Sequence, residues 1–131
     1  KADAYVNVIG GMKIDEPAVD LAVAAVLFSS FKDFEIAKDL MLFGEVGLTG
    51  EVRTVQNADR RLSEGKKLGF KKCILPKGNM PKKEPENIQL FPVDNIAKAF
   101  HILTAFNWFQ RRVQSSENKS DLISSRYSNT I

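Results

Sequence analysis

The sequence contains one cysteine and one histidine among 131 residues. A single cysteine cannot close a disulfide within the chain, and these counts leave no cysteine-rich or histidine-rich metal site. Cys73 lies in an apolar run and is predicted to be a buried core residue. His101 follows Phe100 on a predicted helix, where a packed residue is favoured over a catalytic base. We therefore expect no metal site and a reducing compartment.

Long hydrophobic runs are also missing. The longest apolar stretch, Ala18 to Phe31, is interrupted by Asp20, Ser29 and Ser30 and is shorter than the roughly 20 residues that a bilayer span needs. No basic segment followed by an apolar run marks a signal peptide, so we expect no membrane partner. Because the chain opens at Lys1 without a methionine and enters a strand-like run almost at once, we expect an excised or processed piece.

Strand-like and helix-like segments alternate along the chain with short connections, which predicts an α/β (α+β) fold with helices packed on a sheet. Residues 1–112 are expected to form one domain, and the Ser-rich residues 113–131 a disordered tail, because few apolar groups there can offset the ordering entropy. Predicted strands cover residues 5–9, 40–43, 73–75 and 88–91, with a glycine-rich hairpin between residues 44 and 55, and predicted helices are capped by Asp15, Asn57 and Asp94.

Basic residues are concentrated in one window. Residues 53–83 hold ten basic side chains against two acidic ones, although the whole chain carries a net charge of only +3. Such asymmetry favours a polyanionic partner, since neutralised phosphates release counterions. A solvated loop and complementation of a helix C-terminus are the alternative explanations. The predicted DNA-contacting residues are first Arg53, Arg60 and Arg61, then Lys66, Lys67 and Lys71.

Several ordered blocks of sequence resemble the C-terminal domain of the RadA/Sms family of DNA repair proteins. The most specific block is Gly-Glu-Val-Gly-Leu-Thr-Gly-Glu-Val-Arg at residues 44–53. Residues 5–11, 15–22, 60–62, 67–72 and 74–77 continue the resemblance in order, over about residues 3 to 105.

That family's domain is in turn similar to the proteolytic domain of the Lon protease, with helices on a mixed sheet, and the resemblance implies that its N-terminal part is missing here. Lon uses a serine nucleophile activated by a lysine. In this sequence Ala18 stands at the serine position and Asp59 near the lysine position. The resemblance therefore implies a chain that is not an enzyme. It also implies that ATP, Mg and Zn belong to parts of the parent protein absent from this chain, which itself needs no cofactor.

The resemblance further implies a scaffold and DNA-contact domain in an ATP-dependent DNA recombination and repair protein that extends DNA branches. The expected partners are single-stranded or branched DNA and copies of the same chain in a hexameric ring. The expected location is the bacterial cytoplasm, or an organelle in a eukaryote. The alternatives are a Ser-Lys peptidase of the Lon type, a peptide-binding module derived from one, and a purely oligomerising domain.

Overall fold

The computed structural model of the protein describes residues 16–128, with side chains up to residue 116. The strand predicted at residues 5–9 and the predicted Asp15 cap lie outside this range. Within the range the chain alternates between helices and short strands, which confirms the predicted α/β class. The helices are α1 (Asp20–Lys32), α2 (Ala58–Lys67) and α3 (Ile96–Ser128), and the strands are β1 (Leu40–Leu42), β2 (Glu45–Val46), β3 (Val52–Arg53), β4 (Lys72–Pro76) and β5 (Gln89–Val93), with 3-10 turns at Pro17–Val19 and Lys77–Asn79.

Strands β1, β4 and β5 form a parallel sheet in that order. Met41 lies beside Cys73, which lies beside Leu90, and the next row of the sheet pairs Ile74 with Phe91. Because successive side chains of a strand point to opposite faces, these two rows face opposite sides of the sheet. The described residues form an all-parallel sheet and a separate antiparallel hairpin of β2 and β3. The mixed sheet implied by the resemblance stays a prediction, because the strand predicted at residues 5–9 lies outside the described range.

The two faces of the sheet are covered by different helices. A Cβ built on Gly65 of α2 would lie 2.2 Å from Met41 Sδ, so the backbone of α2 packs directly on the Met41 row. On the other face, Phe106 of α3 meets Phe91 edge to face, with ring centroids 5.0 Å apart. The sheet therefore lies between α2 and α3.

Helix α1 lies on the same side of the sheet as α3. The rings of Phe28 and Phe100 stack between these two helices, with centroids 4.2 Å apart and an interplanar angle of 2°. Ala18, Ala22 and Ala25 are all buried. Small side chains at these positions let the backbone approach its neighbours.

The glycine-rich segment forms the predicted hairpin. Gly50 donates its N–H to the carbonyl of Gly47 at 3.0 Å and has a φ of 87°, a conformation that favours glycine. Gly44 donates its N–H to the Ala18 carbonyl at 2.9 Å instead of continuing the ladder with β4. This contact turns the chain out of the parallel sheet, and Arg53 ends the second hairpin strand.

Helix α2 begins directly after Asn57 and ends just before Gly69. Gly69, with a φ of 95°, donates to the Lys66 carbonyl at 3.1 Å, and Phe70 donates to the Gly65 carbonyl at 3.0 Å. This is a glycine C-cap, with Phe70 folded back into the core. At the other end Asn57 precedes the helix as expected, but the predicted side-chain cap is wrong, because Asn57 has left-handed backbone and its side chain makes no capping bond.

Helix α3 starts one residue later than its predicted cap implies. The Asn95 side chain accepts the N–H of Lys98 at 2.9 Å, which makes Asn95 the cap, whereas Asp94 forms an ion pair with Lys98. The backbone stays helical to Ser128, although the sequence predicts disorder from residue 113. Residues 96–128 contain no glycine or proline that would end a helix. The domain limit at residue 112 stays a prediction.

Candidate nucleic-acid interface

The two positions where the resemblance places a protease dyad carry unsuitable side chains. Ala18 is buried in the 3-10 turn before α1 and presents only a methyl group. Asp59 is exposed in the first turn of α2. A methyl group cannot attack a peptide carbonyl, and a carboxylate cannot supply the amine that activates a serine in a Ser-Lys dyad.

An ion pair joins the segments that carry these two positions. The Arg61 guanidinium of α2 bonds to the carboxylate of Glu16, which precedes the 3-10 turn. Arg61 Nε also donates to the carbonyl of Gln56 at 3.0 Å. Only 14% of the Arg61 side chain is exposed, against 34% for Glu16. Arg61, a predicted DNA contact, is therefore engaged in holding α2 to the start of α1.

Arg53 is more exposed but also has a carboxylate partner. Its guanidinium lies 2.7 Å from the Glu51 carboxylate on the same side of the hairpin. The hydroxyl of Thr49 donates to that carboxylate at 2.7 Å, and this bond, followed by the bond from Arg53, lowers the Glu51 pKa to about 2. The hydrogen bond to Glu51 in turn raises the pKa of Arg53. Part of the Arg53 charge is thus balanced within the hairpin.

Arg60 follows the same pattern. Its Nε lies 3.3 Å from the carboxylate of Glu64, one helical turn further along α2. The side chain is 77% exposed, so the pair is a solvated surface contact of low strength. Each of the three predicted arginines therefore has a glutamate partner.

The lysines at the end of α2 differ from the arginines. Lys66 and Lys67 are exposed in the last turn, and Lys71 is exposed just before β4. Within residues 16–116 none of these three lysines forms an ion pair, and the same holds for Lys83. Their positive charges are not balanced by a contacting carboxylate.

Lys66 and Lys67 border a groove between α2 and the loop of residues 81–85. The groove has a volume of about 420 Å³. Lys83 contributes a third ammonium group from the loop, and Asp59 contributes one carboxylate. The remaining lining residues are Leu62, Ser63, Pro81 and Pro85.

Lys83 is the residue that the predicted set lacks. It belongs to the basic window, but the prolines around it favour the interpretation of a solvated loop. Its approach to Lys66 and Lys67 depends on a tertiary contact between α2 and the loop, for which the sequence carries no local signal.

The six predicted residues do not form one cluster. The segment before α2 is tied to the carboxyl end of β4, because the Asn79 side chain accepts the N–H of Val55 at 2.8 Å and donates to its carbonyl at 3.1 Å. The last turn of α2 leads back to the amino end of β4. A ten-residue helix is about 15 Å long. The arginines therefore lie towards one end of α2, and the lysines towards the other.

Lys71 borders a different depression. It lines a groove of about 580 Å³ that also contains Glu84 and the polar side chains of Asn87 and Gln89. One carboxylate offsets the single ammonium group there. This groove is a weaker anion site than the one that contains Lys66 and Lys67.

Other reactive side chains in the described part of the chain offer no alternative centre. Cys73 is fully buried, and this burial raises the pKa of its thiol well above its ordinary value. His101 is exposed on α3. Among the side chains of residues 16–116 no three His, Cys, Asp or Glu are grouped as metal ligands. No helix between residues 16 and 128 has the length and apolar character needed to span a membrane.

A known family covers most of the chain segments that build this surface. The family model described as subunit ChlI of Mg-chelatase matches residues 4–79. This stretch is more than half of the chain and includes α1, α2 and strands β1 to β4. The chain belongs to this family. The match of the ChlI family ends before the 81–85 loop, which completes the groove.

Curated proteins similar to this chain carry the name DNA repair protein RadA. The chain is 46% identical to the RadA of Haemophilus influenzae over 101 residues, which are 77% of this chain and 22% of that protein. It is 48% identical to the RadA of Aquifex aeolicus over 101 residues, with the same coverage, and 44% identical to that of Escherichia coli over 100 residues, 76% of this chain and 22% of the relative. These matches confirm the predicted resemblance to the RadA family, whereas the likeness to Lon stays a prediction. The chain spans about 22% of the length of these relatives.

Proposed function

We propose that this chain is a non-catalytic, Lon-protease-like domain of a RadA-type DNA repair protein, and that it provides a scaffold and a surface that contacts DNA. The identity of 44–48% to proteins named DNA repair protein RadA supports the repair role over magnesium chelation. The observation that supports DNA contact is the set of exposed lysines that have no ion-pair partner among residues 16–116, because uncompensated ammonium groups attract phosphates most strongly.

A domain of this kind contacts the sugar-phosphate backbone of DNA and does not read the base sequence. Lysines at a helix end and on a loop neutralise phosphates as point charges, which gives affinity without sequence readout. Each neutralised phosphate releases counterions, so the binding constant falls as salt concentration rises. The proposed contact therefore tolerates any DNA sequence and is sensitive to salt.

The experiment is fluorescence anisotropy of labelled single-stranded DNA with the 131-residue chain across a salt series. We expect binding at low salt that weakens as salt rises, with a log–log slope of about 0.7 for each contacted phosphate. Oligonucleotides of different sequence should bind with similar affinity. If the folded chain binds no DNA at low salt, the DNA-contact proposal is wrong.

The absence of proteolysis is part of the same proposal. Ala18 and Asp59 supply neither the nucleophile nor the amine of a Ser-Lys dyad, so the chain should not cleave unfolded protein substrates. Cleavage that persists through purification and disappears when a single residue of the chain is changed would contradict this.

Assembly is the second candidate role, and exposed apolar side chains favour it. Phe31 at the end of α1 is 83% exposed, and Trp108 and Phe109 on α3 are about 60% exposed. Exposed aromatic groups of this size are typical of protein contacts. Sedimentation of the wild-type chain and of a Phe31→Ser, Trp108→Ser variant tests this role. A loss of self-association in the variant is the expected result, and a wild-type chain that remains monomeric at high concentration would contradict it.

A further inference from the structure

We infer that the groove between α2 and the loop of residues 81–85 binds the phosphates of single-stranded nucleic acid through the ammonium groups of Lys66, Lys67 and Lys83. This inference rests on the proposed DNA contact and gives it a location. It also moves the centre of binding away from the arginines that the sequence favours.

Charge balance is the first argument. The groove collects three ammonium groups and one carboxylate, that of Asp59. The three lysines have no ion-pair partner among residues 16–116, so no internal contact has to be broken when a phosphate enters. An arginine that already contacts a glutamate must give up or share that bond, which reduces the net gain.

The walls of the groove are the second argument. Leu62, Pro81 and Pro85 give it apolar surface between the lysines. An unpaired base or a sugar can rest on such surface while its phosphate meets an ammonium group. In a duplex the bases are stacked on one another and paired, so they cannot use these walls. The chemistry therefore favours a single strand over a duplex.

Asp59 provides the third argument and a variant whose effect has the opposite sign. Its carboxylate lines the same groove as the lysines and repels an incoming phosphate. Removing this charge should strengthen binding, whereas removing a lysine weakens it. A site located elsewhere on the surface would respond to either change only through weak long-range electrostatics.

The test compares three variants with the wild-type chain, using a labelled oligothymidylate of about 16 nucleotides across a salt series. The groove variant is Lys66→Gln, Lys67→Gln, Lys83→Gln. The matched control is Lys32→Gln, Lys38→Gln, Lys77→Gln, which removes the same net charge from exposed lysines that neither line the groove nor belong to the predicted DNA-contacting residues. The third variant is Asp59→Asn. Far-UV circular dichroism and the fluorescence of Trp108, the only tryptophan, show whether each variant is folded.

We expect the groove variant to lose at least tenfold in affinity at low salt and about two from the log–log salt slope, since each lost phosphate contact removes about 0.7. The control variant should lose about threefold or less, because its charges act on the groove only at long range. Asp59→Asn should bind roughly two- to threefold more tightly, because it removes the one carboxylate that lines the groove. Equal losses of affinity in the groove and control variants, or full binding by the groove variant, would show that the groove is not the binding site. The proposal that the chain contacts DNA would still stand. Failure of the wild-type chain to bind would overturn the proposed function itself.

Discussion

Removing the ion pair between Glu16 and Arg61 should destabilise the fold without directly weakening DNA binding. The pair connects the segment before α1 with α2, and its partners are 45 positions apart in sequence. Arg61→Met keeps the aliphatic length of the side chain but removes the guanidinium and its bond to the Gln56 carbonyl. Glu16→Gln removes the opposite charge.

The magnitude follows from the exposure of the two side chains. Exposed ion pairs contribute about 0–1 kcal/mol, and loss of one partner of a fully buried pair costs about 3–5 kcal/mol. With 14% of Arg61 and 34% of Glu16 exposed, this pair lies between the two cases. We expect Arg61→Met to cost about 1–2 kcal/mol and Glu16→Gln about 1 kcal/mol, with a coupling energy of about 0.5–1 kcal/mol in the double variant.

Urea unfolding followed by far-UV circular dichroism measures these values for the wild-type chain, both single variants and the double variant. A coupling energy near zero would refute the reasoning, because the two segments would then be held together by packing alone. Anisotropy on the folded Arg61→Met chain completes the test. A loss of affinity as large as that of the groove variant would show that Arg61 contacts DNA and is not mainly structural.

Two further predictions concern single sites. Gly65→Ala should lower the free energy of unfolding by about 1 kcal/mol, since overpacking against Met41 costs about 1–3 kcal/mol and the gain in helix propensity offsets up to about 1 kcal/mol. Ser63→Ala on the exposed side of α2 is its control, and a Gly65→Ala chain that is as stabilised as this control would contradict the close contact. Glu51→Gln should lower the urea midpoint at neutral pH, because the lowered pKa of Glu51 stabilises the fold above pH 4.5 and this contribution is lost as the pH falls towards about 2. The difference between the wild-type and Glu51→Gln midpoints should therefore disappear by about pH 2, and a difference that is constant with pH would contradict the role of Glu51.

The order and kind of the local elements could be predicted from the sequence because they depend on neighbouring residues. The apolar run at residues 40–43 forms β1, and the glycines between residues 44 and 50 form the hairpin turn. Gly69 ends α2 because only glycine readily adopts the left-handed conformation required there. Residues two or three apart decide these features.

The helix starts and the path of the sheet were less predictable. Asn57 and Asp94 have the residue types of helix caps, yet Asn57 adopts left-handed backbone and Asp94 pairs with Lys98. Several polar residues in succession compete for one capping role, and backbone geometry selects among them. The hairpin likewise leaves the parallel sheet because Gly44 bonds to Ala18, a contact between residues far apart in sequence.

The sequence alone determined that positive charge is concentrated between residues 53 and 83 and that alanine and aspartate stand where the resemblance places a protease dyad. Arg53 and Arg60 pair with glutamates two and four residues away in sequence, but the contacts between distant segments were decided only by the tertiary structure. It pairs Arg61 with Glu16 and brings Lys83 beside the last turn of α2. The physical reason is that composition depends only on which residues the chain contains, whereas ion pairing falls off steeply with distance and therefore depends on how the chain folds.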